Sequence, residues 1–455
     1  STRTWQHFLS EIREAVLERI KPGPSESKRL QEVSAALISR IESMAEGCGL
    51  ELKAMLVGSA ARGTWLAGDH DLDVFLGVGV EDDLEKALEL ARRISPDHRE
   101  KYAEHPYIQA RIDGFEVDLV PCYLVDDAAH LRSAVDRTPF HNRYVKQRIA
   151  GLEDEVLLLK QFMKGSGVYG SELRVGGFSG YLAELLVLCY GSFAAVIEAA
   201  SLWKPGLKLD LEGRGRVEQA DPLVVVDPVD PGRNVAAALT LNRMLQFALA
   251  ARTFMARPDI EFFFANPPAP LSDREIEALM EERGTLPLLI EFAAPDVVED
   301  VLYPQLRKAE SSVNALLERK GFSILRSDVI SYSNRAALLL EMEVWRLSPA
   351  CRREGPPVWQ ADHITRFLAA HPKILSGPYI KDGRVVVEEE RRYAQAADLL
   401  AAELASLSLG RHISASIRSG YKIYAGVELL AIKDDGYRIF LAEYFQARCI
   451  RPDAA

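Results

Sequence analysis

The chain has 455 residues, too many for one hydrophobic core, and this length predicts about three domains. A composition with 48% hydrophobic and 27% charged residues is typical of a globular protein, and a net charge of -11 argues against indiscriminate nucleic-acid binding, which requires neutralised phosphates. The five cysteines are scattered and form no C-x-x-C pair, so they indicate neither a disulfide framework nor a zinc site and fit a reducing cytoplasm.

The first 150 residues are predicted to form an α/β head. Two helices, interrupted by prolines at residues 22–24, carry charges where a signal peptide needs an apolar run, so no export signal is predicted. A strand in "KAMLVGS", a short helix, "AARGTW", and a second strand in "HDLDVFLGV" come next, followed by a helix over residues 84–94. Asp113-Gly114 between two alternating apolar runs predicts a β-hairpin. These strands predict one mixed sheet.

Residues 151–265 are predicted to form a mainly helical neck. The apolar run over residues 185–197 predicts one buried helix, because it is shorter than the about 20 residues that cross a bilayer. A proline-rich loop then leads into a long helix predicted to begin at Asn234.

A linker, "NPPAP", opens the predicted third domain, residues 266–455. Helices over residues 272–282 and 303–320 alternate with strands, including a hairpin turned by Asp382-Gly383, which predicts an α+β domain. The fold class predicted for the whole chain is therefore multidomain α+β.

The stretch "VGSAARGTWLAGDHDLDVFL" places three aspartates, Asp69, Asp71 and Asp73, at the start of an apolar strand. Because side chains alternate along a strand, Asp71 and Asp73 share one face, and Asp118 in "FEVDLVPC" can lie beside them on a neighbouring strand. Three carboxylates on one sheet surface bind hard cations, Mg²⁺ above all. A single D-x-D motif is often only a solvated strand edge, so the combination carries the prediction.

The step Gly58-Ser59 supplies the other half of the predicted site. A glycine turn that opens a helix presents backbone N–H groups to an anion, and Ser59 and Arg62 add donors for phosphate oxygens. Carboxylate-bound metal opposite a phosphate site indicates that the substrate is a nucleoside triphosphate. Two metal ions are expected, one to activate the attacking hydroxyl and one to support the pyrophosphate leaving group.

Two basic stretches, residues 132–148 and 406–424, are candidates for contact with RNA phosphates. Each is also compatible with an ordinary solvated surface. The predicted contacts in the second stretch are Arg411, Arg418 and Lys422.

The head motifs resemble the nucleotidyltransferase superfamily of DNA polymerase beta and poly(A) polymerases. Four further segments, "RTPFHNRYV", "LLLKQFMKGSGVYGSELRVGGFSGYLAELLV", "VVVDPVDPGRNVAAAL" and "LSGPYIKDGRVVVEEE", resemble the archaeal, class I family of CCA-adding tRNA nucleotidyltransferases. The likeness runs essentially from end to end. It implies a polymerase-beta-like head, a nucleotide-binding neck and a C-terminal RNA-binding domain.

The resemblance also implies roles for individual residues. The carboxylates that hold two Mg²⁺ ions and carry the catalysis would be Asp71, Asp73 and Asp118. Ser59 and Arg62 would contact the triphosphate. The nucleotide-binding residues of the neck would be His141, Lys160, Tyr169 and Arg233, with Arg233 helping to present an edge that reads the base.

The activity implied is template-free addition of C, C and A to the 3′ end of tRNA from CTP and ATP. The expected partners are the acceptor stem and T arm of tRNA, with no membrane, and a homodimer is compatible with the sequence. A poly(A) or oligoadenylate polymerase shares the same motifs and stays open as an alternative. A catalytically inactive RNA-binding relative is disfavoured, because such a protein needs no mutually repelling carboxylates.

Overall fold

The computed structural model describes residues 2–264 and 268–449. The chain divides into two compact units, one of Ser1–Asn266 with Arg448–Ala455 and the other of Pro267–Ala447. The residues at the predicted boundary between neck and C-terminal domain, 265 and 266, lie outside the described part, and so does the first proline of the predicted linker.

The first unit contains both the head and the neck. Its helices are α1 (Thr2–Ile20), α2 (Pro24–Gly47), α3 (Gly58–Arg62), α4 (Leu84–Arg92), α5 (Thr138–Lys146), α6 (Glu153–Gly165), α7 (Gly180–Tyr190), α8 (Phe193–Ala200) and α9 (Leu241–Ala256). Its strands are β1 (Leu52–Val57), β2 (Asp71–Val78), β3 (His98–Tyr102), β4 (Pro106–Ile112), β5 (Phe115–Tyr123), β6 (Leu207–Leu209) and β7 (Leu223–Val225).

The head contains a five-stranded sheet in the order β1-β2-β5-β4-β3. Strands β2 and β5 are parallel and the other neighbours are antiparallel, so the predicted mixed sheet is confirmed. Asp113 and Gly114, with φ of 49° and 84°, form the predicted tight turn between β4 and β5. Apolar side chains of α2 and α4 pack on one face of the sheet, and the opposite face carries the aspartates together with a small apolar cluster of Val57, Phe75 and Cys122.

The neck has its own core, formed mainly by α6, α7, α8 and α9. Trp5, Leu9, Val16 and Ile20 of α1 belong to this core, although the sequence places α1 with the head. No single helix among the described residues is long and apolar enough to cross a membrane; only α7 and α8 together reach that length and composition, and they are bent by 94°.

Two sequence predictions for the neck are wrong. The apolar run over residues 185–197 is not one helix, because Gly191 ends α7 with a φ of 91° and the Ser192 side chain caps α8 by accepting from Ala195 N at 3.1 Å. The long helix does not begin at Asn234 either. It begins after Thr240, whose side chain accepts from Arg243 N, while Asn234 accepts from Val225 N in β7.

The second unit contains helices α10 (Asp273–Arg283), α11 (Glu299–Arg319), α12 (Ala361–Ala370), α13 (Ala396–Glu403), α14 (Arg411–Ser419) and α15 (Asp435–Phe445). Its strands are β8 (Leu286–Ala293), β9 (Ser323–Tyr332), β10 (Arg335–Val344), β11 (Ala350–Pro357), β12 (Ile374–Lys381), β13 (Arg384–Glu390) and β14 (Tyr421–Ala425).

Two antiparallel sheets, in the orders β14-β8-β10-β9 and β11-β13-β12, organise these elements. Helices α11, α13 and α14 cover one face of the first sheet, and α10 and α15 cover the other. The predicted hairpin is confirmed, with Asp382 and Gly383 at φ of 49° and 76°. The α+β character predicted for this part of the chain is therefore present.

Gly165 tests the packing of the neck core. A Cβ at this position would lie 2.0 Å from the backbone oxygen of Phe262, so the backbone must move to accept any side chain. We expect Gly165→Ala to lower the free energy of unfolding by ~2–3 kcal/mol, and the thermal midpoint by about 5 °C or more.

Gly47→Ala is the matched control, because Gly47 is also the last residue of a helix and has no neighbouring atom within 4 Å of a Cβ. Calorimetry of both variants should show a lower midpoint only for Gly165→Ala. Equal midpoints would contradict the packing described for this helix end.

Candidate active site

Aspartates on two neighbouring strands form the centre of the candidate site. Asp71 and Asp73 lie on β2, and Asp118 lies on β5. In the parallel register Asp73 is directly opposite Asp118, and Asp71 is opposite Glu116. The predicted placement of Asp118 beside the aspartates of β2 is therefore confirmed.

All three aspartates have raised pKa values. Burial, followed by the charges of Asp118 and Asp71, raises the pKa of Asp73 to about 6. Burial is also the main cause of the raised pKa of Asp71 and of Asp118, and neighbouring carboxylates contribute to both. Arg62 acts in the opposite direction on Asp73, as does Lys164 on Asp71. The sheet surface thus carries an excess of negative charge that favours a bound cation.

The donor set fits a hard divalent cation, because it consists of carboxylate oxygens. Within residues 2–264 and 268–449, however, no group of three or more His, Cys, Asp or Glu side chains is gathered closely enough to hold a metal ion. One oxygen of Asp118 accepts a hydrogen bond from Gln109 Nε2 at 3.1 Å. The strand register places Asp73 directly opposite Asp118 on adjacent strands.

Gly58 allows the backbone to pass close to these carboxylates. It has a φ of 75°, and a Cβ at this position would lie 2.6 Å from Asp73 Oδ2. The preceding residue, Val57, is the register partner of Asp73 across β1 and β2. Ser59, the predicted triphosphate contact, follows directly in α3, so the Gly-Ser step lies beside the aspartates.

A buried carboxylate, Glu184 on α7, organises the adjoining part of the neck. Arg62 forms an ion pair with Glu184, with Nη2 to Oε2 at 2.8 Å and Nε donating to Oε1 at 3.2 Å. The hydroxyl of Thr64 donates to Glu184 Oε1 at 2.5 Å. Lys160 Nζ donates to the backbone oxygen of Thr64 at 2.8 Å and lies 3.9 Å from Glu184. Burial lowers the pKa of Lys160 to about 8, although Glu184 opposes this shift.

Tyr169 joins this group at the beginning of α7. A Cβ on Gly180 would lie 3.1 Å from Tyr169 Oη and 3.4 Å from Lys160 Nζ, so glycine permits both side chains to approach the helix. Burial, followed by the charge of Glu184, raises the pKa of Tyr169 above its usual range. The structure thus brings two predicted nucleotide-binding residues, Lys160 and Tyr169, together.

A second buried carboxylate, Asp227, gathers the other predicted residues of the neck. His141 Nε2 lies 2.7 Å from Asp227 Oδ2, and Arg233 Nη1 donates to the same oxygen at 3.0 Å. Tyr181 donates to Asp227 Oδ1 at 3.2 Å and stacks on His141 with ring centroids 4.1 Å apart. Burial opposes ionisation of Asp227, but hydrogen bonds from His141, Val229 and Arg233 outweigh it and lower its pKa.

Helix α5 links the two clusters. His141 contacts Asp227, and the next residue, Asn142, accepts a hydrogen bond from Arg62 Nη1 at 3.1 Å. The residues predicted to bind nucleotide therefore lie in one connected region beside the aspartates.

The sequence argument missed Glu184 and Asp227. Both carried a signal, because Glu184 is the one charged residue of "GYLAELLVLCY" and Asp227 directly follows the apolar run "LVVV". Charged residues are almost never fully buried unless they are paired. An acidic residue within an apolar element therefore indicated that a buried basic or polar partner exists, but the sequence did not identify that partner.

The three predicted RNA contacts of the second unit do not lie on one face of its sheet. Arg411 and Arg418 are exposed on α14, which packs through Ile413 and Ile417 on the same face of the sheet as α11. Lys422 lies on the edge strand β14 and shares the other face with Tyr424, whose ring centroid is 4.4 Å from its Nζ.

Within the first basic stretch, two of the arginines lie near acidic side chains of the neck. Arg137 pairs with Asp230 at 3.1 Å, and Arg148 lies 3.9 Å from Glu212. These charges therefore hold the loops of the neck rather than standing free for an external partner.

Three family models match successive parts of the chain: a nucleotidyltransferase domain at residues 39–141, a tRNA nucleotidyltransferase second domain at 154–264 and a CCA-adding enzyme C-terminal domain at 283–426. The CCA-adding enzyme of Methanosarcina acetivorans is 45% identical and aligns over 95% of this chain and 98% of its own length. The CCA-adding enzyme of Methanothermobacter thermautotrophicus is 46% identical and aligns over 90% of this chain and 92% of its own length. A solved structure of Cid1, a protein with RNA terminal uridylyl transferase activity, is 16% identical to this chain. The match covers 59% of this chain and 100% of the Cid1 chain, with a TM-score of 0.45.

A mixed sheet with aspartates on its two central parallel strands, followed by a helical domain, defines a nucleotidyltransferase of the polymerase-beta type. The chain belongs to the CCA-adding enzyme family. The fold class and the family predicted from the sequence are both confirmed.

Glu184→Gln tests the buried network. The substitution leaves Arg62 and Lys160 buried without their counter-charge, and we expect a loss of ~3 kcal/mol of stability. The thermal midpoint should fall by about 8 °C.

Glu198→Gln is the matched control, since Glu198 makes a solvent-accessible contact with Gln6 at 2.9 Å. Its midpoint should stay close to that of the wild type. A midpoint for Glu184→Gln within 2 °C of the wild type, on the order of the change from one surface contact, would refute the role assigned to Glu184.

Proposed function

We propose that this protein adds C, C and A to the 3′ end of tRNA from CTP and ATP, without a template and with release of pyrophosphate. The observation that carries the proposal is the register of β2 and β5, which places Asp73 directly opposite Asp118. This chain aligns with CCA-adding enzymes over 90–95% of its length at 45–46% identity, and this similarity supports the same substrates.

Asp71, Asp73 and Asp118 are the residues that would hold the metal, which we propose to be two Mg²⁺ ions. When bound, these ions supply positive charge that activates the 3′-hydroxyl and supports the leaving pyrophosphate. The raised pKa values of all three aspartates support a site that gains from a cation.

The triphosphate would be bound by Ser59 and Arg62. An arginine has five N–H donors, and the contacts of Arg62 with Glu184 and Asn142 use three, which leaves two for phosphate oxygens. Glu184 and Asn142 hold the guanidinium in one orientation before the nucleotide arrives. Such preorganisation avoids the cost of ordering a flexible side chain during binding.

The nucleoside would be bound in the neck, with Lys160 and Tyr169 on one side and His141 and Arg233 on the other. Lys160 has three donors and uses one on the backbone of Thr64. A rigid arginine fork suits the edge of cytosine or adenine, and we propose that Arg233 reads that edge together with the bound RNA end.

The second unit would bind the acceptor stem and T arm of tRNA by shape and phosphates, as double-helical RNA requires. Arg411, Arg418 and Lys422 are the proposed contacts, and their positive charge supports this role. A cytoplasmic location and a homodimer stay predictions.

The defining assay uses a tRNA that ends at the discriminator base, Mg²⁺ and labelled nucleotides. We expect addition of C, C and A followed by a stop, with negligible use of GTP or UTP. Continued addition of A would instead identify a poly(A)-type polymerase and overturn the proposal.

Asp73→Asn tests the role of the aspartates, and Asp126→Asn is its matched control. Each removes one charge from the head, but only Asp73 lies among the aspartates of the sheet, whereas Asp126 is exposed after β5. We expect Asp73→Asn to abolish transfer, and Asp126→Asn to transfer as the wild type does. Wild-type transfer by Asp73→Asn would contradict the mechanism.

A further inference from the structure

Asp227 is fully buried, and four hydrogen-bond donors converge on its two oxygens. Oδ2 accepts from His141 Nε2 and Arg233 Nη1, and Oδ1 accepts from Tyr181 Oη and the backbone N of Val229. An ionised carboxylate has about four lone-pair positions. The hydrogen-bonding capacity of Asp227 is therefore filled by the protein, and the carboxylate has no place for a nucleotide.

The loop that carries Asp227 is held by hydrogen bonds of its own backbone. The backbone N of Asp227 donates to the backbone O of Arg233 at 3.0 Å, and the backbone N of Arg233 donates to the O of Asp230 at 2.9 Å. Two prolines, at positions 228 and 231, restrict the chain between them. The ion pair between Arg137 and Asp230 fixes the loop from outside. Asp227 and Arg233 are thus joined through both backbone and side chain.

This arrangement determines what Arg233 can offer to a base. Its side chain is about one-third exposed, at 37%, and Nη1 is held by Asp227. Its Nε and Nη2 make no hydrogen bond within the described part of the chain, so the opposite edge of the guanidinium is free to donate. A bond at Nη1 fixes the plane of the fork and hence the direction of that edge.

The same carboxylate determines the tautomer of His141. With Nε2 directed at Asp227, the neutral ring carries its proton there and leaves Nδ1 as an acceptor. Stacking on Tyr181 fixes the ring plane. Burial lowers the pKa of His141, which supports a neutral ring at neutral pH.

We propose that Asp227 is a positioning residue for base selection: it orients the guanidinium of Arg233 and sets the tautomer of His141, so that the site presents one fixed pattern of donors and acceptors to cytosine and adenine. The inference rests on the proposed function, since it deepens the specificity of the same site. Asp227 itself touches neither nucleotide nor RNA.

The test compares Asp227→Ala, Arg233→Ala and the double variant. The readout is the ratio of kcat/KM for CTP to kcat/KM for UTP on tRNA that ends at the discriminator base. We expect Asp227→Ala to lower this ratio at least tenfold. Because Asp227 acts partly through Arg233, the loss of selectivity in the double variant should be smaller than the product of the losses in the two single variants.

Asp230→Ala is the matched control, because it removes an ion-paired carboxylate from the same loop without contacting the guanidinium of Arg233. Its selectivity should stay within twofold of the wild type. Equal losses for Asp230→Ala and Asp227→Ala would overturn the inference, since they would reflect general loosening of the loop. The inference would also be overturned if the wild type prefers CTP over UTP and Asp227→Ala leaves the ratio of their kcat/KM values unchanged.

Failure of the proposed function is distinguishable, because the wild type would then show no preference for CTP over UTP, or would continue to add A instead of stopping after C, C and A. If the Asp227→Ala variant does not fold, ¹⁵N NMR of histidine-labelled wild type decides the inference. The signal of His141, assigned by its loss in His141→Gln, should show a neutral ring protonated at Nε2. Protonation at Nδ1, or a charged ring at neutral pH, would overturn the inference.

Discussion

The repulsion between carboxylates held side by side on β2 and β5 is the constraint on which the rest of the site depends. The parallel register fixes Asp73 opposite Asp118, and a slip by one residue would move the apolar side chains of β2 out of the core. The packing of the head therefore imposes the repulsion. Burial, followed by the charges of Asp118 and Asp71, raises the pKa of Asp73 to about 6, which corresponds to an energetic cost on the order of 3 kcal/mol at neutral pH from burial and repulsion together. The same charges favour a divalent cation.

The cations beside this negative surface are themselves held by buried acids of the neck. Glu184 holds Arg62 and lies near Lys160, and Asp227 holds Arg233. Removing Glu184 would leave the buried Arg62 without its partner, and removing Asp227 would release the partly exposed Arg233. The buried acids thus turn flexible basic side chains into donors with a fixed direction, which is what a site that selects a nucleotide without a template requires.

Local rules explain what the sequence could predict. Alternation along β2 placed Asp71 and Asp73 on one face, and Asp-Gly turns marked both hairpins, because these patterns depend only on neighbouring residues. The break at Gly191 was missed, since an apolar run has no period that separates one helix from two. The partners of Glu184 could not be predicted, because Arg62 is 122 residues away in the chain.

The most direct measurement is the thermal stability of Asp73→Asn against the wild type at pH 7.5, with and without Mg²⁺. Because folding raises the pKa of Asp73 from 3.8 to about 6, its charge destabilises the fold at neutral pH, and this effect fades as the pH falls from about 6 to 4. The account predicts that, without metal, the variant is more stable than the wild type, and that Mg²⁺ stabilises only the wild type. A less stable variant, or equal stabilisation of both proteins by Mg²⁺, would contradict it.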